Sequence, residues 1–108
     1  MFLIATKYLI PKGYRGLALF PFVFVKYALD KKNEVFLNHE RIHLRQQLEL
    51  LVIPFFIWYF LEFLVRFLQF KNWDLAYRNI SFEREAYANE KDLDYLKRRS
   101  FWGFLKWM

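Results

Sequence analysis

From Leu50 to Leu61 the chain carries no charged side chain, and beyond Glu62 and Arg66 the apolar character continues to Phe70. A chain of 108 residues forms one domain, and a domain of that size has little interior in which to hide Phe55, Phe56, Trp58, Tyr59, Phe60 and Phe63 together. With 56% of all residues hydrophobic and 23% aromatic, part of this surface is expected to meet lipid. The run can cross a bilayer with tilt only if Glu62 and Arg66 are tolerated, and their i, i+4 spacing lets them pair with each other. A helix bent at Pro54 that lies in the interface or re-enters it satisfies the sequence equally. The competing reading, a central helix of a soluble bundle, asks for more covering chain than 108 residues supply.

The net charge of +6 suits an anionic membrane surface or a nucleic acid. The aromatic excess favours lipid, because Trp and Tyr prefer the headgroup boundary, and no nucleic-acid partner is expected. With no cysteine, a disulfide framework and thiolate metal ligands are excluded, so any zinc must be held by His, Asp or Glu.

Met1 to Ala5 has no positively charged n-region and no small-residue cleavage site follows, so a cleaved export signal is not expected. Residues 1–10 and 17–27 are rich in β-branched and aromatic side chains and flank Pro11-Lys12-Gly13-Tyr14-Arg15-Gly16. That pattern predicts two short strands around a turn within residues 1–30, with Pro21 placing the second strand at an edge.

The chain's two histidines both fall in the string His39-Glu40-Arg41-Ile42-His43, the H-E-x-x-H pattern of zinc metalloproteases. On a helix the two imidazoles share one face and can share a tetrahedral zinc, with Glu40 projecting beside them. Zinc lowers the pKa of a bound water toward neutrality, and Glu40 can accept its proton as a carbonyl is attacked. Asn33 is a suitable N-cap for this helix, followed by Glu34 in the first turn. Arg45 and Glu49 are spaced to pair on its outer face, while His39, His43, Gln46, Gln47 and Leu50 share the inner one. Gln46 or Gln47 is placed to bond a ligand or line a groove.

Two histidines leave a catalytic zinc one protein ligand short, and only a carboxylate remains to supply it. After Lys71-Asn72-Trp73 the composition turns to mixed charge, and Ser81-Phe82-Glu83-Arg84-Glu85 resembles a capping box opening a helix across residues 81–99. Glu83, Glu85, Glu90, Asp92 and Asp94 are the candidates. Glu83, Tyr87 and Glu90 form one helical face, and Glu85 and Asn89 another.

Taken together, H-E-R-I-H and Glu83-Arg84-Glu85-Ala86-Tyr87 resemble the gluzincin metallopeptidases, especially the membrane-bound heat-shock and prenyl-protein proteases and the membrane sensor proteases that cleave repressors. Those families follow H-E-x-x-H with a helix bearing E-x-x-A-D, whose glutamate is the third zinc ligand. The resemblance, over residues 18–90, implies that His39, His43 and Glu83 bind Zn2+, that Glu40 is the catalytic base, and that Ala86 fills the small-residue position. Tyr87 stands where those families have aspartate, so its hydroxyl is the candidate to orient a ligand or stabilise an oxyanion.

Geometry limits the routes by which the carboxylate arrives. One straight helix over residues 34–70, followed directly by a descending one, leaves Glu83 about 25–30 Å from His43 at 1.5 Å per residue. Either the chain reverses near Pro54, or residues 71–81 run back extended, or a neighbouring chain in a homo-oligomer supplies the ligand. Residues 100–108, behind Lys97-Arg98-Arg99, read as an aromatic and basic membrane foot or as a latch onto the domain.

The expected protein is mainly α (α+β), a short β element followed by a zincin-like helical domain with a long apolar helix. It would hydrolyse peptide bonds of a peptide or protein substrate, on membrane lipid, with the site facing the cytoplasm at a bacterial inner membrane. The alternative from another class is a catalytically silent membrane adaptor retaining the same fold.

Overall fold

The computed structural model describes residues 2–6, 8, 10 and 14–108, apart from the side chain of Leu29. It is mainly helical with a small N-terminal sheet, an α+β arrangement. The sheet comprises β1 (Phe2–Ala5), β2 (Gly16–Leu19) and β3 (Phe22–Val25) in the order β1-β3-β2. β1 runs parallel to β3, and β2 antiparallel to it.

Residues 17–27 are thus two strands rather than one, and the strand after Pro21 is central rather than at an edge. Without an N–H, Pro21 cannot continue a ladder, so the chain turns at Phe20-Pro21 and pairs back on itself. The expected turn at residues 11–16 lies partly on residues 11–13, outside the described residues, and Gly16 already belongs to β2.

After a 3-10 helix at Ala28–Lys32 comes α1 (Glu34–Leu50). Asn33 caps it, its side chain accepting from the Phe36 N–H at 3.1 Å. Leu44 of α1 packs with Ala18, Val23 and Val25 to form the core under the sheet, with Leu3 and Phe36 closing its sides. A Cβ on Gly16 would meet the Phe36 ring at 2.5 Å, so glycine sets how closely β2 approaches α1.

α1 ends one residue before Leu51, which adopts φ 63° and ψ 145°, and α2 (Val52–Phe70) then begins. The break falls here because a proline ring clashes with the carbonyl four residues back if the helix is continuous. By starting afresh at Val52, the chain puts Pro54 in a first turn, where its missing N–H costs nothing. The apolar run is therefore a separate helix, not a continuation of the metal-motif helix.

The sequence left two routes for the return, and the reversal near Pro54 is the one taken. Residues 71–81 are not extended: α3 (Trp73–Arg78), capped by the Asn72 side chain, fills them. α4 (Ser81–Asn89) follows, then a break and α5 (Tyr95–Arg98), so residues 81–99 are two helices rather than one. Ser81 does not cap α4. It is the first helical residue, and the Glu62 carboxylate of α2 accepts from its N–H at 2.6 Å and its hydroxyl at 2.7 Å. Glu62 also pairs with Arg66 at 3.5 Å, so both charges of α2 turn inward.

A second core joins α2, α4 and the C-terminal 3-10 helix (Gly103–Trp107) through Phe55, Ile80, Phe82 and Phe104. Phe104 is fully buried against Trp58 and Phe82, which latches the C-terminus, while Phe101, Trp102 and Leu105 stay exposed. Among the described residues α2 is the one helix long and apolar enough to cross a membrane.

Candidate metal centre

α1 buries polar side chains: Asn38, His39, Glu40, His43, Gln46 and Gln47 all lie inside. His39 and His43 sit one helical turn apart with their Nε2 atoms 3.2 Å from each other. α4 brings the Glu83 Oε1 atom to 3.2 Å from His39 Nε2 and 3.0 Å from His43 Nε2. A tetrahedral ion with bonds of about 2.0–2.1 Å holds its ligand atoms about 3.3 Å apart, so this triangle has the size of one face of a zinc site. Two imidazole nitrogens at this distance cannot both carry hydrogen, so at least one lone pair faces the other ligands.

The electrostatics follow from burying these charges together. Burial by itself would lower the pKa of His43, but the Glu83 charge and hydrogen bond outweigh it and raise it to about 9. Burial would likewise raise Glu83, yet His43 and His39 hold its carboxyl far below the usual carboxylate range. Glu40 is pushed up by burial, an effect partly offset by His43 and His39.

Two of the three side chains of the triangle are hydrogen-bonded from behind, His43 and Glu83. Gln46 Oε1 lies 2.8 Å from His43 Nδ1. The Glu90 carboxylate lies 3.3 Å from His39 Nδ1, too poorly aligned for a hydrogen bond. From α2, the Tyr59 hydroxyl donates to Glu83 Oε2 at 2.7 Å. Such supports fix ligand orientation and basicity.

Of the carboxylate candidates, only Glu83 joins the histidine pair at its inner nitrogens. Glu85 points to Gln46, Tyr95 and Arg99, Asp92 pairs with Arg98, and Asp94 with Lys97. The expected Arg45–Glu49 pair gives way to Glu49 with Arg99, because Glu49 faces the C-terminal segment rather than the outer surface. Tyr87 lies with its ring edge-on to His39, centroids 4.5 Å apart, and its hydroxyl shares a hydrogen bond with Tyr77. Among the described residues the tyrosine hydroxyl bonded to Glu83 is therefore that of Tyr59, whereas that of Tyr87 is engaged by Tyr77. Tyr59 was hidden in the apolar run, where only its own hydroxyl marked it as different from its neighbours.

Glu40 stands between two cavities. One, of about 490 Å³, is mainly apolar, with Leu17, Phe55, Phe56, Phe63 and Trp73 in its walls. The other, of about 580 Å³, is more polar and includes Arg15, Asp74 and Arg78. Glu40, Tyr14, Gly16, Trp73 and Tyr77 belong to both, so the two form a groove across the histidine helix. Among the described residues no side chain hydrogen-bonds the Glu40 carboxylate. Compared with protein-family models, with curated proteins and with solved structures, this chain matches none.

Proposed function

We propose that this protein is a membrane-associated zinc metallopeptidase of gluzincin type. The observation that carries the reading is the triangle of His39, His43 and Glu83 atoms at 3.0–3.2 Å, with Glu40 beside it in the wall shared by the two cavities. Zinc held by these three residues would acidify a water and polarise a peptide carbonyl. Glu40, free of other partners, is placed to take a proton from the attacking water and return it to the departing amine. Its burial, which raises its proton affinity, suits both halves of that task.

The substrate chain would lie along β2. The Arg15 carbonyl accepts from the Lys26 N–H, and antiparallel bonds alternate, so Gly16 and Ala18 turn their backbone groups away from β3. Gln47 takes the Ala18 carbonyl at 2.8 Å, which leaves the groups of Gly16 and the N–H of Ala18 for an added strand. An apolar substrate side chain fits the cavity walled by Phe55, Phe56 and Phe63.

Lipid contact rests on the outward face of α2, where Ile53, Ile57, Phe60, Leu61, Val65 and Leu68 are all more than half exposed. The helix is about 28 Å long at 1.5 Å per residue, and neither of its charges lies on that face. Lys97, Arg98 and Lys106 near the exposed Phe101 and Trp102 suit an anionic headgroup layer.

Elemental mass spectrometry of the detergent-purified protein tests the metal. About one zinc per chain is expected, lost in His43→Ala and Glu83→Ala. A wild type that takes up no zinc after reconstitution sinks the enzyme reading.

A further inference from the structure

A second buried charge cluster lies outside the groove. The side chain of Arg99, in the segment after α5, is buried, as is that of Glu85, and that of Glu49 is nearly so. The guanidinium forks onto Glu85, Nε to Oε2 at 2.5 Å and Nη2 to Oε1 at 3.1 Å, and its Nη1 reaches Glu49 at 2.7 Å. Burying ion pairs is a poor way to gain stability, since desolvation offsets most of the attraction. The cluster is better explained by what it holds.

Glu85 Oε1 also accepts from Gln46 Nε2 at 2.8 Å, and the same nitrogen donates to the Phe82 carbonyl at 3.1 Å. Both partners of that nitrogen can only accept, so the amide has one permitted orientation, with Oε1 turned to His43 Nδ1. An amide oxygen can only accept in turn. Nδ1 must then carry the hydrogen, so in the neutral imidazole that a metal ion requires, Nε2 is the nitrogen whose lone pair faces Glu83 and His39.

We propose that Arg99 and Glu85 are positioning residues for the metal centre: the Arg99–Glu85 fork locks the Gln46 amide, and the amide makes His43 a ligand through Nε2. This rests on the reading of His39, His43 and Glu83 as a metal site. The C-terminal segment is built around the lock. Tyr95 donates to Glu85 at 2.7 Å, the Trp102 N–H donates to Glu49 at 3.1 Å, and a Cβ on Gly103 would meet Glu85 Oε2 at 2.8 Å. Phe104, packed on Phe82, keeps that segment in place.

Glu49 provides a matched control, since it pairs with the same guanidinium but does not touch Gln46. Glu85→Gln and Glu49→Gln each leave Arg99 with one carboxylate, so both variants keep a balanced buried pair. In Glu85→Gln the new amide can turn its NH2 toward Gln46 and flip it, presenting a donor to His43 Nδ1. Zinc affinity by chelator competition and histidine 15N shifts of the zinc-loaded full chain read out the result. Glu85→Gln is expected to raise the zinc Kd about 10–100-fold and to erode Nε2 ligation of His43, with Glu49→Gln within about twofold of wild type. Arg99→Lys, which keeps the charge but loses the fork, and Gly103→Ala, which keeps every charge, are expected to shift Kd in the same direction by less. Equal zinc Kd values in Glu85→Gln and Glu49→Gln, or unchanged Nε2 ligation in the former, overturn this proposal alone. A wild type without zinc affinity overturns it together with the metal-site reading.

Discussion

α1 and α2 are neighbours in sequence and opposites in design. α1 buries six polar side chains and leaves Leu48 outside, whereas α2 buries only Phe55 and Glu62 and exposes most of its aliphatic surface. In water both arrangements cost free energy, since polar groups lose hydration in one and apolar area gains it in the other. α1 offsets part of its cost by hydrogen bonds: His39, His43 and Gln46 to α4, Asn38 to the backbone that follows α4, and Gln47 to Ala18 and Phe20. The Glu40 carboxylate stays unbonded among the described residues. α2 has no such internal remedy, and lipid is the medium in which its outer face ceases to be a cost. One helix is thus organised by chemistry and the other by its surroundings.

Breaking the inner face should have the largest effect. Glu40→Gln is expected to lower peptide hydrolysis by about 10²–10⁴-fold while zinc content stays near wild type. Turnover and metal analysis on one preparation separate the catalytic glutamate from the ligands, and full activity in the variant would remove Glu40 from the mechanism. On the outer face, Leu61→Lys should weaken sedimentation with anionic vesicles by roughly 100-fold, given about 2.5–3.5 kcal/mol for a lysine placed in hydrocarbon. The same change should leave zinc binding intact. Undiminished vesicle binding would return α2 to the status of an unexplained apolar helix.

The contrast sharpens with pH, because the histidine and carboxylate held together between α1 and α4 are shifted in opposite directions, whereas the outer face of α2 carries no charge. His43, raised from 6.5 to about 9 in the metal-free protein, adds stability that is complete below pH 6.5 and lost as pH rises through 9. Glu83, lowered from 4.5, adds stability present above pH 4.5 and lost on acidification below it. The metal-free protein should therefore melt highest between about pH 4.5 and 6.5. By pH 9 its Tm should fall by more than the roughly 4–8 °C that 1 kcal/mol represents in a domain of this size, and zinc should flatten that fall, as circular dichroism of both forms will show. The smallest effect is expected from Asn33→Ala, which removes the α1 cap for about 1 kcal/mol and should lower Tm by roughly 4–8 °C without changing α2 or vesicle binding.

Features carried by local spacing were legible in advance. The two histidines and Glu40 could be placed on a capped helix, and the Glu62–Arg66 pair followed from i, i+4 geometry. The shared face of Glu83, Tyr87 and Glu90 was also readable, and all three indeed lie against His39. Features that depend on a distant partner were not. Ser81 looked like a cap until Glu62 arrived from α2, and Glu49 looked like a partner for Arg45 until Arg99 folded under it. Pro21 was read as placing its strand at an edge, and the return of β3 to the centre between β1 and β2 needed the sheet order.

The sequence by itself determined which residues are able to hold a metal, because with no cysteine and two histidines the donor set was nearly exhausted by counting. It also determined that one helix would be too apolar for a small domain to cover. The resemblance had already singled out Glu83, whereas the tertiary structure alone decided how that carboxylate reaches the histidines, which tyrosine supports it and which arginine anchors its outer bonds. The physical reason is that a helix specifies neighbours three and four residues away, whereas the positions of Glu83, Tyr59 and Arg99 depend on where the chain breaks at Leu51 and how α2, α4 and the C-terminus pack together.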